Sequence, residues 1–257
     1  DQVIIRMRHA ESEANLAYRR VDKDTECRYY YPIGGFDERV KLSQQGKHQA
    51  DAAGRQLRKL LRADRPLDEV LVSEFQRTEE TAFHVMRELG TRCAMICDPR
   101  LNKRRQGKFW NMTYLGVETI FTDEYEKYKQ DLASGGLNYA PPGGEGHADG
   151  ESYRQLFNRT DELHAEYCRR TEPFLSLWVD HLSSERSLRR KTDRLSARNV
   201  IQMNDKEDVI NANVIAYGRM LDGKDRRFKR INLDHRNKGV SAITLTPETR
   251  LPLDFPH

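Results

Sequence analysis

The sequence predicts an α/β fold, because short apolar runs alternate with a segment of helical periodicity. Val3, Ile4 and Ile5 make the first run, residues 69–73 (EVLVS) the second and residues 93–97 (CAMIC) the third. Each is short for a helix; the first two read as buried strands and the third as a further strand. Between the first two, Ala50, Ala53, Leu57, Leu60 and Leu61 recur at helical spacing, which lays one apolar stripe along a helix. The other face of that helix, with Lys47, Arg55, Arg58, Lys59 and Arg62, reads as solvated.

At 257 residues the chain suits one large α/β domain or two small ones, with room for a substantial core. A charged fraction of 33% and a mean hydropathy of −0.86 are wet for an enzyme and suggest charged insertions around an ordinary core. No apolar run approaches the roughly 18 residues needed to span a bilayer, so a membrane helix is not expected. The charge of +4 is mildly basic, and the excess is clustered. Cys27, Cys93, Cys97 and Cys168 show neither metal-ligand nor disulfide spacing, which favours a reducing compartment and predicts no metal or cofactor.

The first strand runs directly into Arg8-His9. In an open α/β sheet, ligands bind beyond the carboxyl ends of the strands. A guanidinium there is a bidentate anion partner, and an imidazole can attack phosphorus. Alone, an Arg-His pair at a strand end is as readily a surface feature. The continuation, RHAES followed by Asn15, resembles the RHGES-x-x-N signature of the histidine phosphatase superfamily, the phosphoglycerate mutase-like proteins. That resemblance implies a three-layer α/β/α sandwich around a mostly parallel sheet, formed by residues 1–257 as one domain. It implies His9 as phospho-acceptor, Arg8 as phosphoryl ligand and Asn15 on the pocket wall. Ala10 stands where the family has Gly. Arg6 is unexpected in a strand that should be apolar, because an unpaired buried charge is costly.

Residues 37–50 (DERVKLSQQGKHQA) resemble the family's entry to its first helix, with Ser43 as N-cap. Pro66-Leu67 ends that helix. Residues 73–82 (SEFQRTEETA) resemble S-x-x-x-R-A-x-x-T-A and place Arg77 at a helix N-terminus facing the pocket, with Thr81 and Ala82 behind it. After the third strand, Arg100-Leu101-Asn102-Lys103 aligns with R-L-x-E, so Lys103 takes the position of the family's acid. Residues of about 110–150 read as a lid that ends in a Gly/Pro-rich loop. Gly150, Glu151, Ser152 and Arg159 resemble the next family element, with Gln155 in place of an acidic residue, and a helix is expected to continue to about Leu182.

Residues 183–198 read as a charged linker carrying Arg186, Arg189, Arg190, Lys191, Arg194 and Arg198. A second basic cluster holds Lys224, Arg226, Arg227, Lys229, Arg230, Arg236 and Lys238 around Phe228. Basic residues with an interleaved aromatic suit a nucleic-acid backbone; solubility is an equal explanation for either cluster alone.

The family's second histidine is expected on residues 199–212 (NVIQMNDKEDVINA), where Asp205 or Lys206 takes its place. His147, on the lid, is the spare histidine, and reads as an ordinary loop residue. With the acid replaced by Lys103 and the second histidine missing, the sequence predicts a pseudoenzyme that holds phosphate or sulfate and scaffolds a larger, ribonucleoprotein assembly. The alternative is a phosphomonoesterase using His9 with substitute groups; a mutase would need the acid and both histidines. Lys103 and Arg6 are expected to pair with Asp205 across the old pocket. The chain opens on Asp1; removal of a targeting segment would produce such a start, as would trimming of a longer chain, and with the basic pI it leans toward the mitochondrion.

Overall fold

The computed structural model describes residues 1–21, 28–61, 64–144, 148–202, 211–212, 214–219 and 227–231. In chain order the strands are β1 (Gln2–Arg8), β2 (Glu69–Val72), β3 (Ala94–Cys97), β4 (Phe174–Asp180), β5 (Val214–Arg219) and β6 (Lys229–Ile231). They join in one sheet in the order β3-β2-β4-β1-β5-β6. The pairings β3/β2, β2/β4 and β4/β1 are parallel, while β5 and β6 run antiparallel at one side. The mixed, mostly parallel sheet flanked by helices is the expected architecture.

Strand alternation divides the core. Val3, Ile5 and Met7 of β1 with Leu175, Leu177 and Val179 of β4 pack on α2 (Gln44–Leu60) and α3 (Gln76–Leu89) through Ala50, Ala53, Leu57, Ala82 and Val85. The opposite parity, Ile4, Phe174 and Trp178, meets Leu163 and Tyr167 of α6 (Tyr153–Arg169) and Leu188 of α7 (Leu182–Thr192). A period of two in the strands therefore makes the two outer layers.

Ser43 caps α2 as the sequence indicates, accepting from Gly46 N at 2.9 Å. Gly46 is required by close approach: a Cβ there would lie 1.9 Å from Glu11 O. Between β3 and α6 lie α4 (Tyr114–Ile120) and α5 (Thr122–Ala133). Gln155 completes a capping box with Ser152 at the start of α6, which accounts for an amide where an acid was expected.

Three expectations are corrected. Residues 199–201 are not a strand; they belong to α8 (Ala197–Gln202), and Val200 packs against Leu156 and Phe157 of α6. The sheet position beside β1 is taken by β4, whose residues 174–180 had been read as helix. Residues 183–198 are not an open linker, because most of them lie on α7 and α8. The third strand is an exposed edge, with Ile96 43% exposed.

Candidate active site

Parallel strands deliver the central residues together. His9, Ser73 and His181 follow the carboxyl ends of β1, β2 and β4, which are neighbours in the sheet. The His9 and His181 ring centroids are 5.1 Å apart in an edge-on arrangement, and both rings are buried. A second histidine is thus present. It comes from position 181, not from residues 204–206; Asp205 and Lys206, like His147, lie outside the described residues.

Hydrogen bonds decide the tautomers. His9 Nδ1 lies 2.7 Å from Ala10 O. A carbonyl only accepts, so Nδ1 carries the proton and Nε2 holds the lone pair. His181 Nε2 lies 2.8 Å from Ser73 Oγ, which lies 2.8 Å from Thr78 Oγ1. Thr78 donates its single proton to Phe75 O at 2.7 Å, so Ser73 must donate to Thr78, and His181 must donate Nε2–H to Ser73. This leaves His181 Nδ1 as the unprotonated nitrogen, with no hydrogen-bond partner among the described residues.

Both rings are held neutral. Burial, then Arg77 and Arg8, hold His9 well below the usual imidazole range. Burial, Arg77 and His9 act the same way on His181. Neutral rings beside two arginines leave a cationic pocket with an unprotonated nitrogen facing it, which is what nucleophilic attack on a phosphoryl group needs.

Arg77 occupies the first turn of α3, as expected, and donates Nη1 to Asp37 O at 2.7 Å with Asp37 Oδ1 at 3.0 Å. Thr81, one turn on, receives Ala10 N at 3.0 Å and so pins the segment after His9. Asn15 lines the same cavity, its Oδ1 accepting from Ser12 N at 3.0 Å. Arg8, His9, Arg77 and Lys103 all face this cavity of about 640 Å³.

Lys103 Nζ pairs with Asp37 Oδ2 at 2.6 Å and lies 5.0 Å from the centroid of the Trp110 ring. Burial acts to raise the Asp37 carboxyl, but Lys103 and Arg77 outweigh it and hold it below the usual range. Arg159 fastens the segment carrying Lys103, bridging Glu151, Arg100 O and Asn102 O at 2.7 Å each. Arg6, expected to answer Asp205, instead pairs with Asp180 and donates to Glu185 O at 3.0 Å. Arg6 and Asp180 share the even face of the sheet, so the cost of burying Arg6 is met one strand away.

The basic cluster on α7 is not the open face expected. Arg186 is buried and lines the cavity. Arg189 pairs with Asp193 at 2.9 Å, and Arg190 and Lys191 both pair with Asp161, at 2.5 and 3.1 Å. Internal acids therefore take up these charges. Of the second cluster, Arg227 and Lys229 are exposed, Arg230 is partly buried, and Arg226 lies outside the described residues. No described helix is long and apolar enough to cross a membrane.

His181 was missed although a signal existed. Residues 174–179 (FLSLWV) are apolar and aromatic, follow Pro173 and lead into Asp180-His181, repeating the pattern of an apolar run that turns polar at a histidine. The family's Ser/Thr before and Gly after the histidine are absent.

Two histidines thus follow neighbouring parallel-strand ends, with Arg8 closing β1 and Arg77 in the first turn of α3. The family model described as histidine phosphatase superfamily (branch 1) matches residues 4–207, and the chain belongs to that superfamily. Among solved structures it resembles a putative alpha-ribazole-5'-P phosphatase from Escherichia coli K-12, with a TM-score of 0.66 and 18% identity over 93% of this chain and 98% of that one. The alpha-ribazole phosphatase from Shigella flexneri gives 0.65 and 19% over 93% and 99%. A mycobacterial glucosyl-3-phosphoglycerate phosphatase in complex with VO3 gives 0.61 and 20% over 91% and 99%. At these identities the likeness is one of fold. A search of curated proteins returned no match.

Proposed function

We propose that the protein is a phosphomonoesterase working through a phosphohistidine on His9. The observation that carries this reading is the opposition of His9 and His181, 5.1 Å apart, with His9 Nε2 unprotonated. In this reading Arg8 and Arg77 hold the phosphoryl oxygens. His9 Nε2 attacks phosphorus, the bond to the leaving oxygen breaks, and Lys103 gives that oxygen a proton. Water then attacks the phosphohistidine, the N–P bond breaks, and the water proton returns to the Lys103 amine. His181 Nδ1 takes up the proton of the monoanionic phosphate ester and shares it back with a phosphoryl oxygen, which steadies charge in the transition state. The phosphatase descriptions of the solved structures sharing the fold support the same reaction class.

The pseudoenzyme reading has lost the absent second histidine, its main support. It keeps Lys103 in the acid's position, and with it the idea of a phosphate-binding subunit in a larger assembly. The ribonucleoprotein role and a mitochondrial location gain nothing from α7, whose basic residues pair internally.

Rapid quenching with a ³²P-labelled aryl phosphate separates the two readings. Acid-labile, base-stable label mapped to His9, and absent from His9→Ala, is the expected result. Neither label nor turnover at any pH from acid to neutral would leave the binding-subunit reading in its place.

A further inference from the structure

Beside the histidine cavity lies a second one of about 690 Å³. Both fall in the range of small-molecule sites, about 300–1,000 Å³. The two adjoin: Arg19, Lys103, Arg104 and Gln106, with Tyr18, Tyr114 and Tyr128, line both. Arg8, His9, Arg77 and His181 belong to the first alone, whereas Phe109, Trp110, Tyr125 and Tyr139 belong to the second alone. Among the described residues the second cavity has no acidic side chain on its wall.

The aromatic wall is organised. The Tyr128 ring centroid lies 6.4 Å from that of Tyr125 and 5.7 Å from that of Tyr139. Tyr139 is anchored by its hydroxyl, which donates to Glu124 Oε2 at 3.0 Å. The Tyr18 and Tyr31 ring centroids, also on the lining, are 4.5 Å apart. From the histidines outward, the groove therefore runs from cationic head, through a waist carrying Arg104 and Gln106, to an aromatic chamber.

An occupant matching this order has an anionic head, a hydroxylated spacer and a planar end. Building on the phosphomonoesterase reading, we propose that the substrate is a nucleoside 5′-monophosphate. Its phosphate sits on Arg8 and Arg77, its ribose at Arg104 and Gln106, and its base among Tyr125, Tyr128 and Tyr139. A sugar phosphate leaves the aromatic chamber empty. An aryl phosphate such as phosphotyrosine has no spacer, and its ring stops at the waist. Stacking on aromatic side chains tolerates any base, so the class rather than a particular base is specified.

Calorimetric titration of the full chain with non-hydrolysable phosphonate analogues of AMP, ribose 5-phosphate and phosphotyrosine tests this, with orthophosphate alongside. The AMP analogue is expected to bind about 5- to 150-fold tighter than the ribose analogue, the factor one stacked base supplies. Tyr125→Ala with Tyr128→Ala should erase most of that preference and leave the ribose analogue's Kd within about twofold, while the paired Phe replacements should keep it. Equal affinity for the AMP and ribose analogues, a tighter phosphotyrosine analogue, or equal weakening of both sugar ligands by the Ala pair would overturn the assignment. Orthophosphate binding without any nucleotide preference sinks only the nucleotide assignment. No binding of any phosphate compound sinks the phosphatase reading beneath it.

Discussion

Lys103 Nζ stands 2.6 Å from Asp37 Oδ2, so this cavity-lining cation is answered by a carboxylate from a different segment. Lys103→Glu alone sets a carboxylate against Asp37 and should weaken anion binding and lower the melting temperature. Lys103→Glu with Asp37→Asn removes the clash and sets a carboxylic acid in place of the ammonium as proton donor, so kcat should be kept, whereas Lys103→Ala, with no donor, should lose about 10²-fold or more. Steady-state kinetics on an aryl phosphate reads it; a Lys103→Ala variant as fast as its parent would mean that Lys103 does not supply the proton.

Asp37 also occupies Arg77, and so competes with an incoming anion. Phosphate or sulfate should raise the melting temperature through linkage. Asp37→Asn should enlarge the rise, and Arg77→Ala should remove it. If Asp37→Asn shrinks the shift instead, the carboxylate positions Arg77 for the anion rather than withholding it.

Stability should respond to pH through the histidines. His9 is held well below its ordinary value by burial and by Arg77 and Arg8, so the folded state stays unprotonated where the unfolded chain takes up a proton, below about pH 6.5. The unfolded state then binds more protons, and the His9 contribution, present above about pH 6.5, is lost as pH falls, with a slope of up to about 1.4 kcal/mol per pH unit. His181 has the same sign. Asp180 opposes them: burial pushes its carboxyl up to about 7, so the folded state is the one that binds a proton between about pH 4 and 7. Urea unfolding of the parent and of His9→Gln isolates one histidine. On acidification from about pH 7 to 5 the parent should lose stability relative to the variant; parallel curves would mean that His9 is protonated in the folded state.

The Arg6–Asp180 pair is buried beneath the site. Asp180→Asn leaves a buried guanidinium short of its partner and should cost about 3–5 kcal/mol in denaturant unfolding. Arg6→Met with Asp180→Leu should recover most of it, because an apolar pair of similar volume carries no desolvation penalty. A single substitution costing under about 1 kcal/mol would show that water reaches Arg6 when Asp180 is neutralised.

Local sequence determined the strand at Val3–Ile5, the Ser43 cap, and the placement of Arg8, His9 and Arg77, because each depends on a run of neighbouring residues whose periodicity or capping is visible in one window. The family pattern extended that reading along the chain. It also led it astray at residues 199–206, where a match to a motif outweighed the plainer strand at 174–180. Whether β4 or a later segment lies beside β1 is a matter of strand order, and strand order is set by long-range pairing that no window contains. For the same reason the sequence showed Arg6 as an unpaired charge and residues 183–198 as a free basic face. Asp180 meets Arg6 only after β1 and β4 align, and Asp161 meets Arg190 and Lys191 only after α6 and α7 pack. The types of residue gathered in the candidate site were legible in the chain; which of them meet was decided by the order of the strands.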